Sequence, residues 1–104
     1  MMITVQVVYW RDIPAQVKVK GGRERATRPL TDRFQIMIDR AAMRAGLFNT
    51  DDYLEAWRTV DLPAREGEPQ AVADAVAGEL EAAYCEDRLE QLGQAGGVDA
   101  GVQA

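Results

Sequence analysis

The sequence has no histidine and a single cysteine, Cys85. Without an imidazole there are no histidine-bound zinc sites, no Ser-His-Asp or Cys-His pair, and no side chain that ordinarily shuttles protons near neutral pH. One thiol makes neither an intramolecular disulfide nor a thiolate cluster for zinc or iron–sulfur. Cys85 lies between Tyr84 and Glu86, and a nearby carboxylate disfavours the thiolate, so a structural thiol is expected. No stretch approaches the roughly 18 apolar residues needed to span a bilayer. Met1–Trp10 lacks a basic start, and Thr4 and Gln6 break its apolar run, so no secretory signal is read there and the cytoplasm is the expected compartment. Calcium-loop spacing and GxxxxGK[ST] are both missing. These absences lead to the expectation of a non-catalytic chain with no metal or cofactor.

What is present suits one domain. The chain has 104 residues, 47% hydrophobic and 28% charged, enough for one modest core. A compact domain is expected over residues 1–92, and a polar, Gly- and Ala-rich tail over 93–104. Charge is unevenly placed. Residues 1–47 hold nine basic and four acidic side chains; residues 48–104 hold three and thirteen. Either the two halves attract each other within the fold, or the basic half steers a charged partner. The net charge of −5 disfavours nucleic acid.

Periodicity predicts an α+β fold, a small antiparallel or mixed sheet covered by helices, in the order β-β-α-(α)-β-α. Ile3–Trp10 alternates as a strand, with Ile3, Val5, Val7 and Tyr9 on one face. Ala15–Lys20 alternates again, Val17 and Val19 inward and the lysines outward, which suits an exposed edge. Arg11-Asp12-Ile13-Pro14 is the turn between them. Residues 21–28, from Gly21-Gly22 to Arg28, read as a basic loop. A helix is predicted over Asp32–Ala45, capped by Thr31 and stopped by Gly46, with Phe34, Met37, Ile38, Ala41, Ala42 and Ala45 on its apolar face. Arg33, Arg40 and Arg44 fall elsewhere on it, within about 40° of one another. Asn49 or Asp51 caps a short helix containing Tyr53, Leu54 and Trp57. Thr59–Leu62 is read as a short strand, and Pro63–Glu68 as a turn-rich connector. Pro69 opens a long helix. Its stripe of Val72, Val76, Leu80, Ala83 and Tyr84 gives way to a displaced stripe of Cys85, Leu89 and Leu92. That displacement implies a bend or a second contact surface, and makes those three residues candidates for a homodimer interface.

Arg11, Asp12 and Gln16 are not needed by the apolar core and make a candidate contact site; turn capping or an Arg–Asp pair is the alternative. If the 21–28 loop folds toward Arg33, then Arg23, Arg25, Arg28 and Arg33 join Lys18 and Lys20 in one surface for an anion or an acidic protein. A solvated basic loop is the alternative. Tyr53 and Trp57 are residue types that anchor interfaces.

The run Val8-Tyr9-Trp10-Arg11-Asp12-Ile13-Pro14-Ala15-Gln16-Val17 resembles the opening of a small bacterial domain family called "virulence factor". The resemblance continues through Arg33-Phe34, Ile38-Asp39-Arg40-Ala41-Ala42-Met43-Arg44, Tyr53-Leu54 and Trp57. It implies a cytoplasmic accessory domain associated with cobalamin- or folate-dependent methyl transfer, whose partner is a methyltransferase component. The Asp-x-His-x-x-Gly cobalamin signature is missing, so the resemblance does not imply a corrinoid carrier and assigns no catalytic residue. A binding or adaptor domain that contacts a protein or a small anionic ligand is the leading expectation. A one-carbon accessory protein and a self-associating structural domain are the rivals.

Overall fold

β-branched residues at alternate positions make the first strand. The computed structural model describes residues 2–98, and β1 spans Met2–Trp10, with Ile3, Val5 and Val7 buried while Thr4 stays exposed. β2, Ile13–Gly21, pairs with it antiparallel around the two-residue turn Arg11-Asp12. The register shifts between Val8 and Tyr9. Ala15 is the extra residue on β2, and its carbonyl accepts from the Leu30 N–H at 3.0 Å. A bulge here therefore anchors the chain where it leaves the sheet.

Residues 21–28 depart from the expected loop. They form no loop: after the turn at Gly22-Arg23 the chain returns as β3, Glu24–Pro29, antiparallel to β2. An edge strand with one exposed side has little hydrophobic alternation to display, which hides it in the sequence. β2 is accordingly an interior strand, not the expected edge. β4, Trp57–Glu66, absorbs both the short strand expected at 59–62 and most of the connector expected at 63–68. The sheet order is β3-β2-β1-β4, all antiparallel. Pro63 is tolerated because β4 is an edge strand.

Two helices separate β3 from β4. α1, Asp32–Arg44, buries Phe34, Ile38, Ala41 and Ala42. It ends as expected: Gly46 has φ +72°, its N–H donates to the Met43 carbonyl, and the Leu47 N–H donates to the Ala42 carbonyl at 2.9 Å. That pair of bonds is a Schellman stop. α2, Asp51–Glu55, is capped by Thr50, whose hydroxyl accepts from the Tyr53 N–H. The expected caps, Asn49 and Asp51, are displaced by one residue on either side, and Trp57 falls in β4.

α3, Pro69–Ala83, covers the inner face of β3, β2 and β1 with Val72, Ala73, Val76 and Ala77. The displaced stripe is explained by a break: Tyr84 leaves helical geometry (φ −103°, ψ 73°), and α4, Glu86–Gln94, starts afresh. α4 packs on α1. Leu89 and Leu92 are 1% and 3% exposed within the chain's own core, so they offer no surface to a second copy; Cys85 is exposed.

The expected tail boundary also moves. Gly93, Gly96 and Gly97 are buried. A Cβ on Gly93 would overlap the Met37 sulfur, and one on Gly97 would stand 2.7 Å from the Trp10 ring. These glycines are there for close approach rather than flexibility. The rest of the expected tail, 99–104, lies outside the described residues.

Candidate functional site

Strand alternation splits the basic residues of the N-terminal half between two faces. On the helix side, Arg28 lies opposite Val17 in the register and bonds Asp74 of α3 at 2.6 Å. Across the sheet, Arg65 of β4 grips Glu79 of the same helix with two bonds. The two edge strands thus clasp α3. The Asp74 carboxyl is held below its usual range by the Arg28 and Gln70 hydrogen bonds, and Glu79 likewise by Arg65. Arg28–Asp74 joins the basic half to the acidic half, whereas Arg65–Glu79 lies within the latter, and both pairs are exposed enough to be individually weak.

Arg33 is committed more deeply. Its guanidinium donates to the Glu81 carboxylate at 2.9 and 3.2 Å, to the Glu81 carbonyl at 2.8 Å and to the Tyr84 carbonyl at 2.7 Å. Glu81 in turn accepts from the Thr31 N–H at 2.7 Å and the Thr31 hydroxyl at 2.9 Å. Thr31 is the N-cap residue of α1, as expected, but its side chain does not cap. Glu81 supplies that anion from α3, and Arg33 satisfies the carbonyls where α3 ends. Burial alone would raise the Glu81 carboxyl; the Thr31 bonds and Arg33 outweigh it and hold it low.

Arg11 and Asp12 are also built into the frame. Arg11 has φ 52°, donates to the Gly96 carbonyl at 2.9 Å and lies over the Trp10 ring. Asp12 pairs with Arg58 at 3.1 Å, and its N–H donates to the Gly97 carbonyl at 2.9 Å. The expected union of Arg11, Asp12 and Gln16 does not form one site: the first two tie the β1–β2 turn to the end of α4, and Gln16 faces elsewhere. Nor do the arginines of 23–33 converge. Arg23 sits at the β2–β3 turn beside Gly67, Glu68 and Pro69.

Left over is the part of the outer sheet face around Lys18, Lys20 and Arg25, which are exposed. There Lys20 lies between Thr4 and Arg25, and Lys18 between Gln6 and Thr27. These six line a cleft of about 450 Å³ with Val19 and Ala26. Sequence alone makes Lys18 and Lys20 mere companions of an arginine loop, because outward lysines suggest only an edge strand; placing them at the centre of a face needs β3 beside them.

Toward the α1 end of that face the lining loses its cations and gains an indole and one acid, Asp32. Val8, Ala15, Gln16 and Trp57 meet Pro29, Leu30, Asp32 and Gln35 around a second cleft of about 340 Å³. Tyr53 stands edge-on to Trp57, centroids 6.2 Å apart. Its phenol is pushed up chiefly by burial and then by Asp39, against hydrogen bonds from Gln35 and Trp57. The Trp10 indole donates to the Tyr53 carbonyl at 3.0 Å, so Tyr53 joins the core to this rim. Gln16, Trp57 and Arg25 are the expected contact residues that the fold brings to one face, with Tyr53 behind them. Among the described residues no three carboxylates or thiols gather to hold a metal ion. Cations, amides and an indole are the charged, polar and planar groups that this face presents.

A family model described as "Virulence factor" matches residues 8–92. No curated protein and no solved structure matches the chain.

Proposed function

The chain belongs to the virulence factor family, and from that membership we propose a non-catalytic binding or accessory domain whose outer sheet face is its contact surface. One observation carries the reading. The arginines that clasp the helices, Arg28, Arg33 and Arg65, are each matched to an acid, whereas Lys18, Lys20 and Arg25 are exposed on one face and make no ion pair among the described residues. The adjoining Trp57–Gln16 cleft adds apolar area and amide groups, the mixture that anchors protein interfaces. Arg28 and Arg33, expected as ligand contacts, serve the fold instead.

A photo-crosslinking residue placed at Thr27 on the sheet face, or at Ala75 on the exposed side of α3, tests this in native cells. Specific adducts from Thr27 and none from Ala75 are expected. Adducts only from Ala75, or none above background from either, overturn it.

A further inference from the structure

The outer face gathers like charges on neighbouring strands. Lys20 and Arg25 are directly cross-strand, and like charges in that position repel. Lys18 lies two residues along from Lys20, about 6.8 Å at strand rise. Their lateral neighbours Thr4, Gln6 and Thr27 are uncharged. Further across this face Asp61 is bonded to Gln6 at 2.8 Å, and Glu66 lies opposite Met2. In a chain with net charge −5, three adjacent cations without an acid are a surface left for something else.

We propose that this face binds an extended acidic peptide segment of a partner protein, its carboxylates at alternate positions set against Lys18, Lys20 and Arg25. The proposal rests on the reading of the outer face as the contact surface. Three observations choose the occupant. First, the cations are exposed, and a single solvent-screened ion pair contributes little; a lone small anion is poorly held, and a multivalent one is required. Second, alternate side chains of an extended peptide repeat at the same roughly 6.8 Å as the lysines, and strands about 4.8 Å apart place Arg25 within reach of the same row. Third, the Thr4–Thr27 cleft contains no aromatic ring. Trp57 pairs with Trp10 at the far end of β1, so bases would have no stacking platform beside the cations.

The full chain is titrated against a fluorescein-labelled peptide of about eight residues alternating Glu and Thr, followed by anisotropy and by backbone amide shifts. Controls are a peptide with the same Glu and Thr in two blocks, a Gln-for-Glu peptide, acetate at equal carboxylate concentration, and oligo-dT. Expected are shifts on Lys18, Lys20, Arg25 and Thr27, binding that weakens as salt is raised, and several-fold weaker binding of the block peptide. Lys18→Glu with Lys20→Glu should weaken binding about tenfold or more. The single Arg25→Gln is a milder second variant should the double one fail to fold, and several-fold loss is expected there. Equal binding of the block peptide, unchanged affinity in these variants, acetate shifts of the same size, or tighter oligo-dT binding each overturns the proposal. Crosslinks through Thr27 with no peptide binding leave the contact face standing and remove the acidic occupant.

Discussion

Single side chains do the joining in this fold, and Arg33 does most of it. Its guanidinium reaches two carbonyls and a carboxylate at the place where α3 ends and α1 begins. Arg33→Ala should cost about 1–2 kcal/mol in urea unfolding, since it strands partly buried acceptors; Arg28→Ala, which breaks an exposed pair, should cost about 0–1 kcal/mol. Equal losses would refute the distinction. Tyr84 is a neighbour with a different sensitivity. Burial, then the nearby Tyr9, pushes its phenol up to about 12, with Arg88 pulling against them. The folded state therefore holds the proton more tightly than the unfolded chain. Stability contributed by the neutral phenol is complete below the ordinary tyrosine value of 10.0 and is lost as pH rises toward about 12. Tyr84→Phe should flatten that part of the curve relative to wild type, measured by unfolding at successive pH values. An unchanged slope would show that the phenol does not drive it.

At the scale of elements, legibility follows amphipathicity. α1 is readable end to end, because its apolar face, Thr31 and Gly46 agree with one another. β1 and β2 are readable from alternation. β3 is not: Glu24–Pro29 has no buried residue, so its strand character comes from hydrogen bonds to β2 and leaves no hydrophobic mark. β4 is legible only over 59–62, where Val60 and Leu62 are half-buried between exposed neighbours; Pro63 and the charges beyond it resemble a connector because an edge strand tolerates both. The stripe change after Tyr84 is visible, but its cause, a break into α4 packed on α1, is tertiary. The candidate site suffers most from the hidden β3. As a loop, residues 21–28 could gather every arginine. As a strand they deal Arg25 to one face and Arg28 to the other. Gly46 allows a direct check on the element that is legible. At φ +72°, with nothing within 4 Å of the place a Cβ would take, Gly46→Ala meets backbone strain without a clash, and about 1 kcal/mol of thermal or urea stability should be lost. A neutral result would remove the Schellman stop as a determinant of where α1 ends.

For the molecule as a whole, closure depends on a segment that composition alone would discard. Gly93-Gln94-Ala95-Gly96-Gly97 offers little side chain to bury, yet the Gly97 N–H reaches the Leu92 carbonyl at 2.7 Å and its carbonyl takes the Asp12 N–H. Gly96 holds Arg11 through its carbonyl. The first turn of the sheet and the last helix are thereby joined, and Gly97 lies against Trp10, which is fully buried. A chain ending at Gln94 should lose about 2–4 kcal/mol, from the missing bonds and the uncovered indole. Its tryptophan emission should shift to the red as water reaches Trp10. Gly97→Ala, strained at φ +90° and crowding the ring, should cost a similar amount. Gly93→Ala meets only the flexible end of Met37 and should cost about 1–2 kcal/mol. If the shortened chain unfolds at the wild-type urea midpoint, the contact between Gly97 and the first turn is not what closes the domain.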